Sequence, residues 1–144
     1  MALDTSGPIY VGGWSLGAAG DPDMIIWKYD PDGLLEIKFG PGGYVRQDRW
    51  GGPDAALDVV VTAYGRIIAC GFSAAPTYPR DVAIWEVLWD GTVESTAVHD
   101  RAAGGVNDDD YARSLFTGGS GGTLFTGASQ NRFGDFDLAI WNRR

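Results

Sequence analysis

The stretch Asp23-Met24-Ile25-Ile26-Trp27 returns as Asp81-Val82-Ala83-Ile84-Trp85 and again as Asp137-Leu138-Ala139-Ile140-Trp141, at shifts of 58 and 56 residues. Upstream, Gly13-Trp14-Ser15 returns as Gly71-Phe72-Ser73 and Gly127-Ala128-Ser129 at the same two shifts. Downstream, Asp32-Gly33 followed by Glu36 returns as Asp90-Gly91 followed by Glu94, and residues 56–65 match 112–121. Several landmarks sharing one offset define an internal repeat. A period of this length belongs to stacked or radial repeat architectures, whose units cannot cover their apolar faces alone.

Each repeat reads as four short strands. In the middle repeat these are residues 57–62, 66–72, 82–89 and 92–98, with Tyr64-Gly65 and Asp90-Gly91 as hairpin turns. Alternation along the third strand places Ala83, Trp85, Val87 and Trp89 on one face and Val82, Ile84 and Leu88 on the other. Both faces are apolar, so both must be covered. No segment keeps a helical period over ten residues. The expected fold is all-β: antiparallel four-stranded propeller blades, about three per chain, in one domain of residues 1–144. The repeats fall near 1–53, 54–109 and 110–144, the last truncated, and residues 2–6 stand as a shortened, polar first strand.

These landmarks resemble the delta-60 repeat of bacterial β-propellers. That pattern has an apolar strand, a D-G hairpin, an F-G-x-G-G-x-V block, a Gly/Asp-rich linker, an alanine-containing strand and a strand ending in G-x-S. The matching residues run Trp27-Lys28-Tyr29-Asp30-Pro31-Asp32-Gly33, then Phe39-Gly40-Pro41-Gly42-Gly43-Tyr44-Val45, then Pro53 through Val60 and Gly65 through Ser73. The second copy lacks the F-G-x-G-G-x-V block, having Val98-His99-Asp100-Arg101-Ala102-Ala103-Gly104-Gly105 instead. The resemblance implies a propeller and no particular activity.

Composition narrows the function classes. The 144 residues, 15.4 kDa, make one ordinary domain, and 44% hydrophobic with 21% charged residues fits a packed core. A net charge of −8 and a pI near 4.4 argue against nucleic-acid binding. The single Cys70 allows neither an internal disulfide nor a cysteine zinc site. No apolar run is long enough for a membrane helix. The first residues lack the basic and apolar segments of a signal peptide, so the expectation is a cytoplasmic protein or a trimmed piece of an exported one. No cofactor is expected.

Just under three blades cannot close a ring, which typically takes four or more. Apolar residues such as Val60, Phe116 and Ile140 would then lie uncovered, and such patches mark association surfaces. The expected partner is a second copy, two chains closing a six-bladed ring about a two-fold axis.

The candidate chemistry is sparse. Asp108, Asp109 and Asp110, with Asn107, offer oxygen ligands for Ca²⁺ without the EF-hand spacing. Asp21, Asp23, Asp135 and Asp137 precede the tryptophan-bearing strands, and the recurrence of Asp23, Asp81 and Asp137 in register reads as structural. Trp27, Trp85 and Trp141 read as core between blades, each indole N–H finding a partner. Trp14, Trp50, Tyr78 and Phe133 break the repeat or sit in the divergent loops 16–22, 74–80 and 130–134, so they are the candidates for a ligand surface, against the plainer reading of a satellite core. His99 is the lone histidine, with Ser15 and Ser73 as serines for a triad and no G-x-S-x-G elbow. Residues 118–122 are glycine-rich with no following helix, which excludes a P-loop. Cys70 reads as a buried strand residue, and Arg132, Arg143 and Arg144 as a basic end that is solvated or pairs with a neighbouring subunit. The sequence thus favours a non-enzymatic, self-assembling interaction module with glycan or protein contacts on variable loops. Alternatives are a lectin-like propeller and a hydrolase or lyase using Asp58 and Asp108–Asp110 as channel carboxylates.

Overall fold

The structure, a computed structural model, describes residues 1–104, 108–118 and 122–143. Eleven strands and no helix are formed among them. Sheet 1 holds β1 (Ala2–Leu3), β2 (Ile9–Leu16), β3 (Pro22–Tyr29) and β4 (Tyr44–Gln47) in sequence order, all antiparallel. Sheet 2 repeats this with β5 (Asp54–Val61), β6 (Ile67–Ala74), β7 (Arg80–Val87) and β8 (Val93–His99). Sheet 3 has three strands, β9 (Asp110–Thr117), β10 (Thr123–Gln130) and β11 (Phe136–Arg143). The protein is therefore all-β, with three antiparallel sheets in repeat.

The two-faced strand pattern decides the packing. From β7, Ala83, Trp85 and Val87 enter one core with Tyr10, Met24 and Ile26 of sheet 1 and with Phe39 of the loop before β4. Val82 and Ile84, on the other face, enter a second core with Ala112, Leu115 and Phe125 of sheet 3. Sheet 2 is thus the filling between two neighbours, as a strand apolar on both faces requires. The first strands of sheets 2 and 3 pack beside each other, and both carry a bulge at the same repeat position, after Ala56 and after Ala112. Asp58, just past the first bulge, accepts hydrogen bonds from Ser114 Oγ (3.2 Å) and Leu115 N (3.0 Å). The residue and its repeat counterpart, Ser114, thereby tie adjacent sheets together.

Several expectations are corrected. The third strand of sheet 2 ends at Val87, because Leu88 N bonds to Thr92 O and closes a turn; Trp89 sits in that turn, 70% exposed. Trp85 is fully buried, yet its Nε1 donates to nothing in reach. Trp27 is only half-buried, since no sheet lies on its side of sheet 1. Val60 is half-covered because it faces sheet 3, whereas Phe116 and Ile140 are indeed exposed. In sheet 1 the Asp32-Gly33 turn leads into a ten-residue loop, residues 34–43, rather than a strand, and Phe39 from that loop plugs the first core. Gly91 comes so close that a Cβ there would run into Gly40 N, and Gly40 N bonds to Asp90 O. Arg143 pairs within the chain, its Nη1 lying 3.0 Å from Glu86 Oε1 of sheet 2.

Candidate functional site

The antiparallel order brings the β6–β7 loop, the start of β7, the end of β8 and the start of β9 to one end of the sheets. There a cavity of about 390 Å³ is lined by Trp50, Ala75, Tyr78, Pro79, Asp81 and Asp100. Trp50 arrives on the linker between sheets 1 and 2, and Tyr78 and Pro79 on the β6–β7 loop. Tyr78 is largely exposed and Trp50 less than half so, and the Arg49 guanidinium lies 4.4 Å over the Trp50 ring. The cavity thus joins apolar ring surface to carboxylate oxygens, a combination suited to polyols and cations.

Behind the cavity stands Asp110, and one carboxylate oxygen from each of Asp81, Asp100 and Asp110 lies within 4.8 Å of the others. Asp110 Oδ2 accepts from Arg101 N at 2.8 Å. Its Oδ1 is buried without a hydrogen bond. The Ser129 hydroxyl, across the strand pair, accepts from Ala103 N and, with the Gln130 backbone N–H, is near enough to favour the charged carboxylate. Arg101, the one non-glycine residue with positive φ (67°) among those described, sets its Nε 2.9 Å from Asp100 Oδ2. A left-handed arginine costs about 1–2 kcal/mol of backbone strain. Burial, then the charges of Asp100 and Asp110, pushes the Asp81 carboxyl up to about 6. Burial also raises Asp110.

A related arrangement stands at the junction of sheets 1 and 2. Asp54, the repeat counterpart of Asp110, accepts from Arg49 N through Oδ2 and is likewise raised by burial. Asp23, the counterpart of Asp81, has Arg46 Nε at 3.9 Å. Arg46 pairs across the sheet with Ile25, and Val98 pairs with Ala83 at the equivalent place. A guanidinium near the first group is therefore replaced by an isopropyl group at the second.

Of the residues singled out from sequence, Trp50 and Tyr78 meet in the cavity. Trp14, on β2, and Phe133, under the Arg132 guanidinium at 4.7 Å, line other surfaces. The run Asp108-Asp109-Asp110 does not act as one group: Asp109 Oδ1 accepts from Arg80 N, and Asp110 turns inward to Asp81 and Asp100. Asn107, Arg144 and the centre of the 118–122 stretch lie outside the described residues. Cys70 is buried, which pushes its thiol up to about 12 and leaves it inert at neutral pH. Ser15 accepts from Arg46, Ser73 is buried, and His99 is exposed at the end of β8. Asp137 Oδ2 accepts from Asn131 in its own turn. Asp100 escaped the sequence reading. Its signal was the pair Asp48-Arg49 recurring as Asp100-Arg101, hidden because the linkers that follow differ in length.

A scan against models of known protein families gives no match, and a search of curated proteins finds none either.

Proposed function

We propose that this chain is a non-enzymatic, propeller-type interaction module that self-associates through its open sheet faces and receives a ligand in the Trp50–Tyr78 cavity. One observation carries the self-association. Sheet 3 exposes Phe116, Leu124, Leu138 and Ile140 on its free face. These are the repeat counterparts of Val60, Ile68, Val82 and Ile84, the residues with which sheet 2 covers sheet 3. The matching receptor is the outward face of sheet 1 in a second copy. That face carries Trp27, the counterpart of Trp85, which fills the first core. Head-to-tail contact of this kind closes two chains into a six-bladed ring about a two-fold axis. Light scattering after size exclusion tests it. The expected mass is twice 15.4 kDa, falling to the single-chain mass in Ile140→Arg. A single-chain mass at every concentration for the parent sequence overturns the reading.

The cavity favours a lectin-like version of the module. An indole and a phenol can stack on a sugar ring while Asp81 and Asp100 accept its hydroxyls. A glycan array probed with the parent chain and with Trp50→Ala tests this version. Signals lost in the variant support it, and signals retained remove it.

A further inference from the structure

We propose that Asp81, Asp100 and Asp110 form a binding site for a divalent, oxygen-preferring cation, Ca²⁺ above Mg²⁺, on the acidic side of the Trp50–Tyr78 cavity. The three oxygens lie within 4.8 Å of one another. Oxygens no more than 4.8 Å apart lie at most about 2.8 Å from a common centre, so a small inward rotation of the carboxylates brings all three to a Ca–O distance of about 2.4 Å. The oxygens come from three separate segments, and Asp81 and Asp100 open onto the cavity, where water completes the shell. An irregular shell of this kind suits Ca²⁺ better than the strict octahedron of Mg²⁺.

Two independent features point to an ion rather than to a solvated acidic patch. Asp110 is 1% exposed, and its Oδ1 is buried without a hydrogen bond, the Ser129 hydroxyl being the nearby donor. A buried carboxylate oxygen in that state calls for a partner. The charge balance agrees. Three carboxylates face two guanidinia, that of Arg101, paired with Asp100, and that of Arg49 over Trp50, which leaves one negative charge. At the sister junction Arg46 approaches Asp23, but its position here is held by Val98. A cation would offset the remaining charge and join sheet 2 to sheet 3 through their linker.

The test uses the full chain stripped with EDTA and titrated with Tb³⁺, whose luminescence is sensitised by Trp50 in the same cavity. The expected result is a saturable signal displaced by Ca²⁺ with a dissociation constant below about 1 mM, the weak end for calcium modules. Asp100→Asn removes an exposed ligand without threatening the fold. It should weaken calcium competition by at least about tenfold, since even outer-shell partners are worth about 10–100-fold. Asp81→Asn should do the same. Trp50→Phe should dim the signal without moving its midpoint. Asp137→Asn, the sheet 3 counterpart of Asp81, should change nothing. The proposal is overturned if no calcium-displaceable signal appears, or if Asp100→Asn and Asp81→Asn bind calcium like the parent. The outcome is independent of whether the chain forms a ring.

Discussion

Ile84 and Ile140 occupy the same position of successive repeats, but Ile84 is fully buried and Ile140 is 65% exposed. The pair therefore measures what a neighbouring sheet contributes. Ile84→Ala removes three carbons from the second core, between Phe125 and Leu115 of sheet 3 and Val82 of its own sheet. Truncations of this kind cost about 2–5 kcal/mol, the lost transfer energy plus the cavity left behind. At about 2–4 °C per kcal/mol for a chain near this size, the midpoint should fall by about 4–20 °C. Ile140→Ala removes the same atoms from a surface already mostly wet. In the isolated chain it should cost under about 1 kcal/mol. In a ring, where a second copy covers Ile140, the loss should approach that of Ile84→Ala at high concentration and fade on dilution. Circular dichroism melts of both variants over a hundredfold range of concentration, roughly the span needed to separate linked from unlinked stability, make the comparison. A melt of Ile84→Ala within about 1 °C of the parent would refute the sheet 2–sheet 3 core. An Ile140→Ala loss as large as that of Ile84→Ala, and constant on dilution, would refute the reasoning about who covers that face.

Two further outcomes follow from the buried carboxylates and the glycines. Asp81 titrates near 6 in the folded chain against an ordinary value of 3.8. Protons are then bound more tightly by the folded than by the unfolded state, so metal-free stability should fall as pH rises from about 4 to 6. Asp54 and Asp110, also raised, act in the same direction. Asp81→Asn should flatten that slope and raise the melting point at neutral pH; an unchanged slope contradicts the assignment. Gly65 and Gly91 both hold positive φ, 74° and 91°. A Cβ at Gly65 meets nothing within 4 Å, whereas one at Gly91 runs into the Gly40 backbone. Gly65→Ala should cost about 1–2 kcal/mol from the left-handed backbone alone. Gly91→Ala should cost clearly more in urea unfolding, and equal losses would deny the close approach.

The strands and the doubly apolar third strand were legible because alternation and turn chemistry are local. Val82, Ile84, Ala83 and Trp85 sort onto two faces by parity, and the structure buries them in two different cores. Trp89 escaped this logic because the hydrogen bond from Leu88 N to Thr92 O ends the pleat before it. Phe39 was visible only as part of a motif, since nothing in the loop's spacing says that its ring reaches the first core.

From the amino-acid order alone came the repeat, its antiparallel strands, the need for cover on both faces of a sheet, and the candidacy of Trp50 and Tyr78 for a ligand surface, with a satellite core as the competing reading. These are properties of the chain read over ten or so residues, where backbone period and side-chain polarity suffice. Only the tertiary structure decided that Trp50 and Tyr78 share one cavity, that Asp110 leaves its acidic run to meet Asp81 and Asp100, and that Asp58 is held by Ser114 and Leu115. The reason is that linkers of unequal length set those meetings. Once sheets stack, distance in space is governed by which strand ends share a side, and no period in the sequence encodes it.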